Sequence, residues 1–289
     1  FSSYALLRVG NFVHQFGLQS STSSSMKVTM EEPASNEAFF NSRLMGAMFV
    51  YDKNDFFGTA SVHVESEALK KKSNELGKMG YGAMSRLVYR PLHDTGRLFQ
   101  LGISGAYETP RYNSEPTLNH TSFDLGANFP TRIAKVRAVN ALIPDAKNLI
   151  KFTPEMIAGY GPVALEAQYY YLQVNRKKDF KNYKASGMYG ILRGLLIGGN
   201  YRYSHTDCGI ATPDSGSLEC VFGYNYTDMS DTRSHIYGGR LNDVSFTVNY
   251  YINKYMIWRF RYSYTKITDR VGFENQSLSA FQTRFQVIF

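Results

Sequence analysis

Cysteine, tryptophan and long apolar runs are what this chain has least of. Two cysteines in 289 residues exclude a disulfide scaffold. Cys208 and Cys220 also lack the CxxC or Cys/His spacing of a zinc site, so no metal and no cofactor is expected. No stretch approaches 18 uninterrupted apolar residues, which excludes a membrane-spanning helix. Charged residues make up 19% of the chain, and the excess of 32 Lys and Arg over 24 Asp and Glu gives a net charge of +8. Those cations are scattered, apart from Lys70-Lys71-Lys72 and Arg176-Lys177-Lys178, so nucleic acid is not expected as a partner. No charged-then-apolar leader opens the chain at Phe1-Ser2-Ser3-Tyr4, so an exported protein would be represented by a mature or truncated chain.

What is abundant is aromatic: 22 Tyr and 20 Phe, against a mean hydropathy of −0.32. Large rings need apolar surroundings, so they must be interleaved with polar residues. From Phe99 to Glu108 the large apolar residues take the odd positions. From Tyr255 to Lys266, Met256, Trp258, Phe260, Tyr262 and Tyr264 share one face, and Arg259, Arg261, Ser263 and Thr265 share the other. The same period of two runs through Val163 to Tyr171, Leu218 to Tyr226 and Asp243 to Tyr250.

A soluble sandwich would alternate too, so strand length and connections decide. The runs exceed the about 5 to 6 residues of an ordinary strand and reach the about 9 to 11 of a tilted bilayer crossing. Strands are expected near 4–12, 41–51, 56–65, 81–90, 97–109, 151–160, 163–174, 183–205, 217–227, 239–251, 254–265 and 278–289. Short turns then alternate with long connections at 13–40, 66–80, 110–150, 175–182, 228–238 and 266–277, with the 206–216 turn out of rank. Sorting of loops by length to opposite rims is the habit of outer-membrane barrels, whose short turns are periplasmic. The expectation is an all-β, transmembrane, antiparallel up-and-down barrel of about 12 strands. It forms one domain over 1–289, with long extracellular loops at 13–40, 66–80 and 110–150. Residues 183–205 exceed one crossing, and Arg193 falls on the apolar parity there, which a bulge would explain. The 118–142 stretch is assigned to a loop, an extra hairpin being the alternative.

The last strand ends Phe285-Gln286-Val287-Ile288-Phe289, with Phe281, Phe285, Val287 and Phe289 on one face. With Arg8-Val9-Gly10-Asn11-Phe12, Gln15-Phe16-Gly17-Leu18, Glu31-Glu32 through Phe39-Phe40 and Arg43, and Gly161-Pro162-Val163-Ala164-Leu165-Glu166-Ala167-Gln168-Tyr169, the chain resembles the phosphate-selective porin O and P family. The closing third matches best, at Gly238-Gly239-Arg240, Val248-Asn249-Tyr250-Tyr251, Arg259 to Tyr264 and the terminal strand. The chain departs at Ile197-Gly198-Gly199-Asn200, where the family carries an acidic residue after a Leu-Thr-Gly run. The resemblance implies a barrel of about sixteen strands, of which this chain supplies all but about four at the front. It also implies the outer membrane of a Gram-negative bacterium and an inward-folded loop at 13–40. The implied function is passive diffusion of small hydrophilic solutes, including anions such as phosphate.

If the aromatic face meets lipid, the other parity lines the pore. That places Arg8, Arg86, Arg90, Lys184, Arg202, Arg259, Arg261 and Arg284 inward, with Glu65, Glu108, Glu155, Glu166, Glu219 and Asp243. Lys27 in the first loop and Arg43 just beyond it are further candidate anion contacts. Guanidinium forks suit oxyanions, and fixed charges in a walled channel concentrate counter-ions. The same Arg and Glu residues could instead pair across strands and stiffen the wall. Of the six histidines only His63 lies well inside a strand, which leaves no Ser/His/carboxylate constellation and no enzyme. The rival function is a non-conducting barrel, its lumen plugged by loops, serving as a structural or assembly component of a larger complex. The partners expected are outer-membrane lipid, small anionic solutes for the conducting barrel, and a homotrimer or larger membrane-protein complex. Lastly, Asp214 lies midway between Cys208 and Cys220. A hairpin closing symmetrically at Pro213-Asp214 would set them opposite each other, within disulfide range in an oxidising periplasm.

Overall fold

A computed structural model describes residues 4–22, 27–40, 43–72, 75, 77–131 and 135–288. Phe289 lies outside the described residues. In chain order the elements are β1 (Ala5–Phe12), helices α1 (Leu18–Ser21) and α2 (Ala34–Phe39), β2 (Leu44–Lys53), β3 (Phe56–Val64), a 3₁₀ turn (Ser66–Leu69), β4 (Tyr81–Asp94) and β5 (Arg97–Glu108). Next come β6 (Phe123–Asn128), β7 (Arg137–Ile143), β8 (Ala146–Tyr160), β9 (Val163–Arg176), β10 (Tyr183–Ile197), β11 (Tyr203–Ser204) and β12 (Gly209–Ile210). The chain closes with β13 (Leu218–Asp231), β14 (Ile236–Asn253), β15 (Met256–Arg270) and β16 (Gln276–Val287).

All twelve expected strands form, in one antiparallel sheet of order β1-β2-β3-β4-β5-β8-β9-β10-β13-β14-β15-β16. Every neighbour in the wall is also the next wall strand in sequence, the up-and-down arrangement that alternating long strands and turns dictate. Among the described residues β1 and β16 do not pair with each other. The short turns lie at one rim: Asn54-Asp55, Thr95-Gly96, Gly161-Pro162 and Lys254-Tyr255. Asn54 has φ +51° and Gly161 φ +58°, the left-handed conformation that lets a two-residue turn follow the strand twist. At the other rim β13 and β14 extend farther than expected and close on the four-residue turn Thr232–His235, so 228–238 is mostly strand.

Parity separates the two faces of the wall. Leu101, Phe246, Trp258, Phe285 and Val287 are exposed on the outer face, while Gln100, Ser104, Arg259 and Arg261 are buried on the inner one. A sheet that hides its polar face and shows its apolar face to the surroundings is built for lipid.

Two stretches differ from expectation. Strand β10 ends at Ile197 after a bulge between Leu195 and Ile197. Residues 198–217 then turn inward, carrying the β11–β12 hairpin. The 118–142 stretch, assigned to a loop, instead carries a hairpin, β6–β7, and β7 packs its Val139, Ala141 and Ile143 inside the wall against β14.

Candidate functional site

The interior is filled from both ends. At the long-loop end, residues 13–22 and 27–40 fold inward and are held by wall strands from β5 round to β16. Ser104 Oγ accepts from the Gly17 amide at 3.0 Å, Gln168 Oε1 from the Leu18 amide at 3.1 Å, and Glu166 from Gln19 Nε2 at 2.8 Å. Lys151 donates to the Phe39 carbonyl at 2.7 Å, Asn225 Oδ1 accepts from the Ser35 amide at 3.0 Å, and Asn249 Nδ2 donates to the Val28 carbonyl at 2.9 Å. These bonds satisfy loop backbone groups that burial would otherwise leave unpaired. The loop is therefore an internal element.

At the short-turn end, Tyr201 anchors residues 198–217. Its carbonyl accepts from the Gly96 amide at 2.8 Å, its amide donates to the Gly161 carbonyl at 3.0 Å, and its hydroxyl donates to Glu219 at 2.7 Å. Tyr203 donates to Gln100 Oε1 at 2.5 Å, and its ring lies 5.5 Å from the Arg90 guanidinium. Burial pushes the Tyr201 and Tyr203 hydroxyls up, so both remain donors at neutral pH. Between the two stoppers, a void of about 20 Å³ is bounded by Gln19, Lys27, Glu166, Arg193 and Ile210.

The inner wall between them carries charge in pairs. Arg86, fully buried, grips Glu155 through Nε and through Nη2 at 2.6 Å, and reaches Gln15 Oε1 at 2.9 Å. Arg90 pairs with Asp52 and donates to the Asn54 carbonyl at 3.1 Å. Lys151 meets Glu108 at 2.9 Å, Arg261 meets Asp243 at 3.3 Å, and Lys27 pairs with Glu32 within the loop. The six carboxylates expected inward (Glu65, Glu108, Glu155, Glu166, Glu219 and Asp243) are all buried. A buried charge is tolerable only with such partners.

The pattern thins on β14 to β16. Arg259 is 1% exposed and has no salt bridge among the described residues; its Nη1 donates to the Lys27 carbonyl at 2.6 Å and its Nε has no partner. Arg284 lies directly opposite Arg259 in register, keeps 39% of its side chain accessible, and approaches Glu31 at 3.6 Å. Around Arg259 and Arg261, the unpartnered atoms Thr247 Oγ1, Asn249 Oδ1, Arg261 Nε and Ser263 Oγ lie on the same face of β14 and β15.

Of the residues expected at the pore, Arg86, Arg90, Arg259, Arg261 and Lys27 are buried inside, and Arg284 faces inward half-exposed. Arg8 shares the parity of buried Phe12, 5.4 Å from its ring, but is exposed on the edge strand β1. Three others are corrected. Lys184 is exposed, because its neighbour Tyr183 takes the inward position on β10. Arg202 is exposed in the 198–217 segment and pairs with Asp214 at 2.5 Å. Arg43 is exposed in the approach to β2.

Two inward cations escaped the sequence reading. Arg193 bonds Glu219 at 2.8 Å and covers the Tyr201 ring at 5.0 Å, so it lies on the inner parity of β10. Lys151 opens the expected strand 151–160 and shares the parity of Thr153 and Glu155, a signal already present there.

The expected disulfide is absent: both thiols are free. The segment 198–217 does not form a symmetric hairpin, because β13 pairs directly with β10 and sets Cys220 opposite Gly194. Cys220 shares the outer parity of Phe222. Cys208 is buried inside, where the Tyr203 hydroxyl lies 3.2 Å from its sulfur and burial pushes the thiol's pKa up.

The phosphate-selective porin O and P family model matches residues 1–289. The chain belongs to that family. No curated protein matches it. Among solved structures it is similar to outer-membrane-expressed OmpT of Vibrio cholerae, with a TM-score of 0.56, 10% identity, and coverage of 98% of this chain and 76% of that one. It is also similar to in-vitro folded OmpT of Vibrio cholerae, an outer membrane protein, with a TM-score of 0.52, 10% identity, and coverage of 96% and 73%. At that identity the likeness shows the fold alone. Membership in the porin family makes this a porin-type β-barrel of the Gram-negative outer membrane, in contact with lipid and concerned with small solutes, and argues against an enzyme.

Proposed function

We propose that the barrel conducts small hydrophilic solutes by passive diffusion, that anions are preferred, and that residues 13–40 set the constriction. The long loops then face outward and the short turns face the periplasm. The observation carrying the anion preference is the state of the inner charges. The inner cations have a carboxylate within salt-bridge distance, Arg284 included through Glu31 at 3.6 Å, whereas Arg259 has none among the described residues, and Arg284 stands opposite it on β16 with its side chain still accessible. A solute path between the inward loop and the β15–β16 wall would meet that excess positive charge, in a region where polar atoms have no protein partner. Replacing Arg259, Arg261 and Arg284 together with Ser should shift the reversal potential in a salt gradient toward cations. An unchanged potential would assign the three arginines to wall bracing.

The rival reading is a non-conducting barrel that serves a larger assembly. It is favoured by the stoppers at both ends and by the small void between them. Planar-bilayer recording separates the two: ohmic openings support diffusion, and silence from folded protein supports the scaffold.

A further inference from the structure

His14 and His63 have no part in the ion pairs of the wall, nor in the proposed solute path. His63 stands on the inner face of β3, and His14 is among the first residues of the inward loop; both are at least nine-tenths buried. Their ring centroids lie 5.2 Å apart at 61°, and His14 stacks on Phe12 at 4.4 Å.

The wall is hollowed to admit the two rings. In register, His63 is flanked by Gly46 on β2 and Gly82 on β4. A Cβ on Gly82 would come within 2.6 Å of His63 Nε2, and one on Gly46 within 3.0 Å of His14 Cε1. A carbonyl only accepts, so the 3.3 Å contact to the Leu44 carbonyl fixes the proton of neutral His14 on Nε2. That leaves Nδ1 bare, and neither His14 Nδ1 nor His63 Nδ1 has a hydrogen-bond partner among the described residues.

Among the described residues the carboxylates near this place are already engaged by other partners. Glu108 of β5 already bonds Lys151 of β8 at 2.9 Å and Arg111 at 2.6 Å. Glu65, beyond β3, accepts from the Gly80 and Tyr112 amides, each at 2.6 Å, with His120 at 3.8 Å. The other charge nearby is Arg8, over the Phe12 ring.

We propose that this imidazole pair is an acid-sensitive latch, which holds the start of the inward loop against the wall while both rings are neutral and releases it when they take up protons. Burial holds His14 below its ordinary pKa. The latched state therefore loses stability as pH falls below about 6.5, where the released imidazole takes up a proton and the buried one does not. Release of the loop is the proposal itself; its effect on current rests on the loop being the constriction.

Hydrogen exchange on the full-length protein in its membrane, at pH 7.5 and 4.5 and corrected for intrinsic rates, tests the latch. The amides of residues 14–20 should exchange about tenfold faster relative to those of β8 and β9 at the lower pH. His14→Gln with His63→Gln keeps polar side chains that do not titrate in this range, and should abolish the difference. If the double variant fails to fold, His14→Gln alone leaves the wall intact and should still reduce the response. An unchanged ratio in the natural protein, or a full response in a folded variant, overturns the latch. Faster exchange with unaltered conductance upholds the latch and counts against the loop as the constriction.

Discussion

Inside this wall a carboxylate meets nearly every guanidinium, Arg259 being the exception among the described residues. Arg86 and Glu155 lie on neighbouring inner faces of β4 and β8 with β5 between them, and both are sealed from solvent. Removing one partner strands the other charge, which typically costs about 3–5 kcal/mol. Glu155→Gln should therefore lower the urea midpoint by that order, while a double change to Met and Leu should recover much of the loss. The thiols make a second prediction at this scale. With Cys208 on the inner side and Cys220 on the outer parity, the mass of the natural protein should not change on reduction. Alkylation in denaturant without a reductant should label both residues, and no label at all would restore the disulfide. Midpoint arithmetic failed here because it treats 206–216 as the turn of a symmetric hairpin whose first strand runs to 205, whereas β10 ends at Ile197 and Tyr201 and Tyr203 pull residues 198–217 into the lumen.

Within each strand the inner face is layered. Along β15 it reads Ile257, Arg259, Arg261, Ser263, Thr265 and Ile267, and along β14 it runs from Leu241 through Asp243, Ser245, Thr247 and Asn249 to Tyr251. The polar middle lies beside the inward loop, Leu241 and Ile267 pack with the β7 side chains, and Tyr251 meets the 198–217 segment at Gly216 and Ser217. This is why the twelve wall strands were legible in the sequence: lipid on one side and polar residues on the other leave a period of two. Strand β10 was harder to read, because its inward positions Tyr183, Ala185, Tyr189 and Ile191 face other protein and are themselves apolar, while Gly190 and Gly194 weaken the outer face. With so little contrast, Lys184 was placed inside and Arg193 on the wrong side. The β6–β7 hairpin gave a faint signal for the same reason, since it packs inside the wall and its partner β14 is distant in sequence. Parity itself is testable. Leu101→Arg places a charge on the lipid face and should cost about 2–4 kcal/mol near the midplane, measured by urea titration in liposomes, whereas Gln100→Ala on the inner face should cost less than half as much.

For the molecule as a whole, the unsettled element is the seam between β1 and β16, which do not pair among the described residues. Water is absent from the bilayer core, so each unpaired amide or carbonyl there costs several kcal/mol, and an open sheet edge facing lipid does not persist. The outer residues of these two strands are nonetheless dressed for lipid: Val9 and Phe281 are each 73% exposed on the apolar parity. Apolar side chains on the outer parity place both strands against lipid. In the native outer membrane, the amides of β1 and β16 should therefore exchange with deuterium as slowly as those of β8 and β9, whose partners on both sides are known. Residues 271–275, which connect β15 and β16 at the rim, should exchange at least a hundredfold faster and serve as the internal reference. Protection confined to β2 through β15 would mean that the edges are wet. The inner surface of the seam would then be an open cleft, and the anion path assigned to Arg259 and Arg284 would lie in the open instead of inside a closed pore.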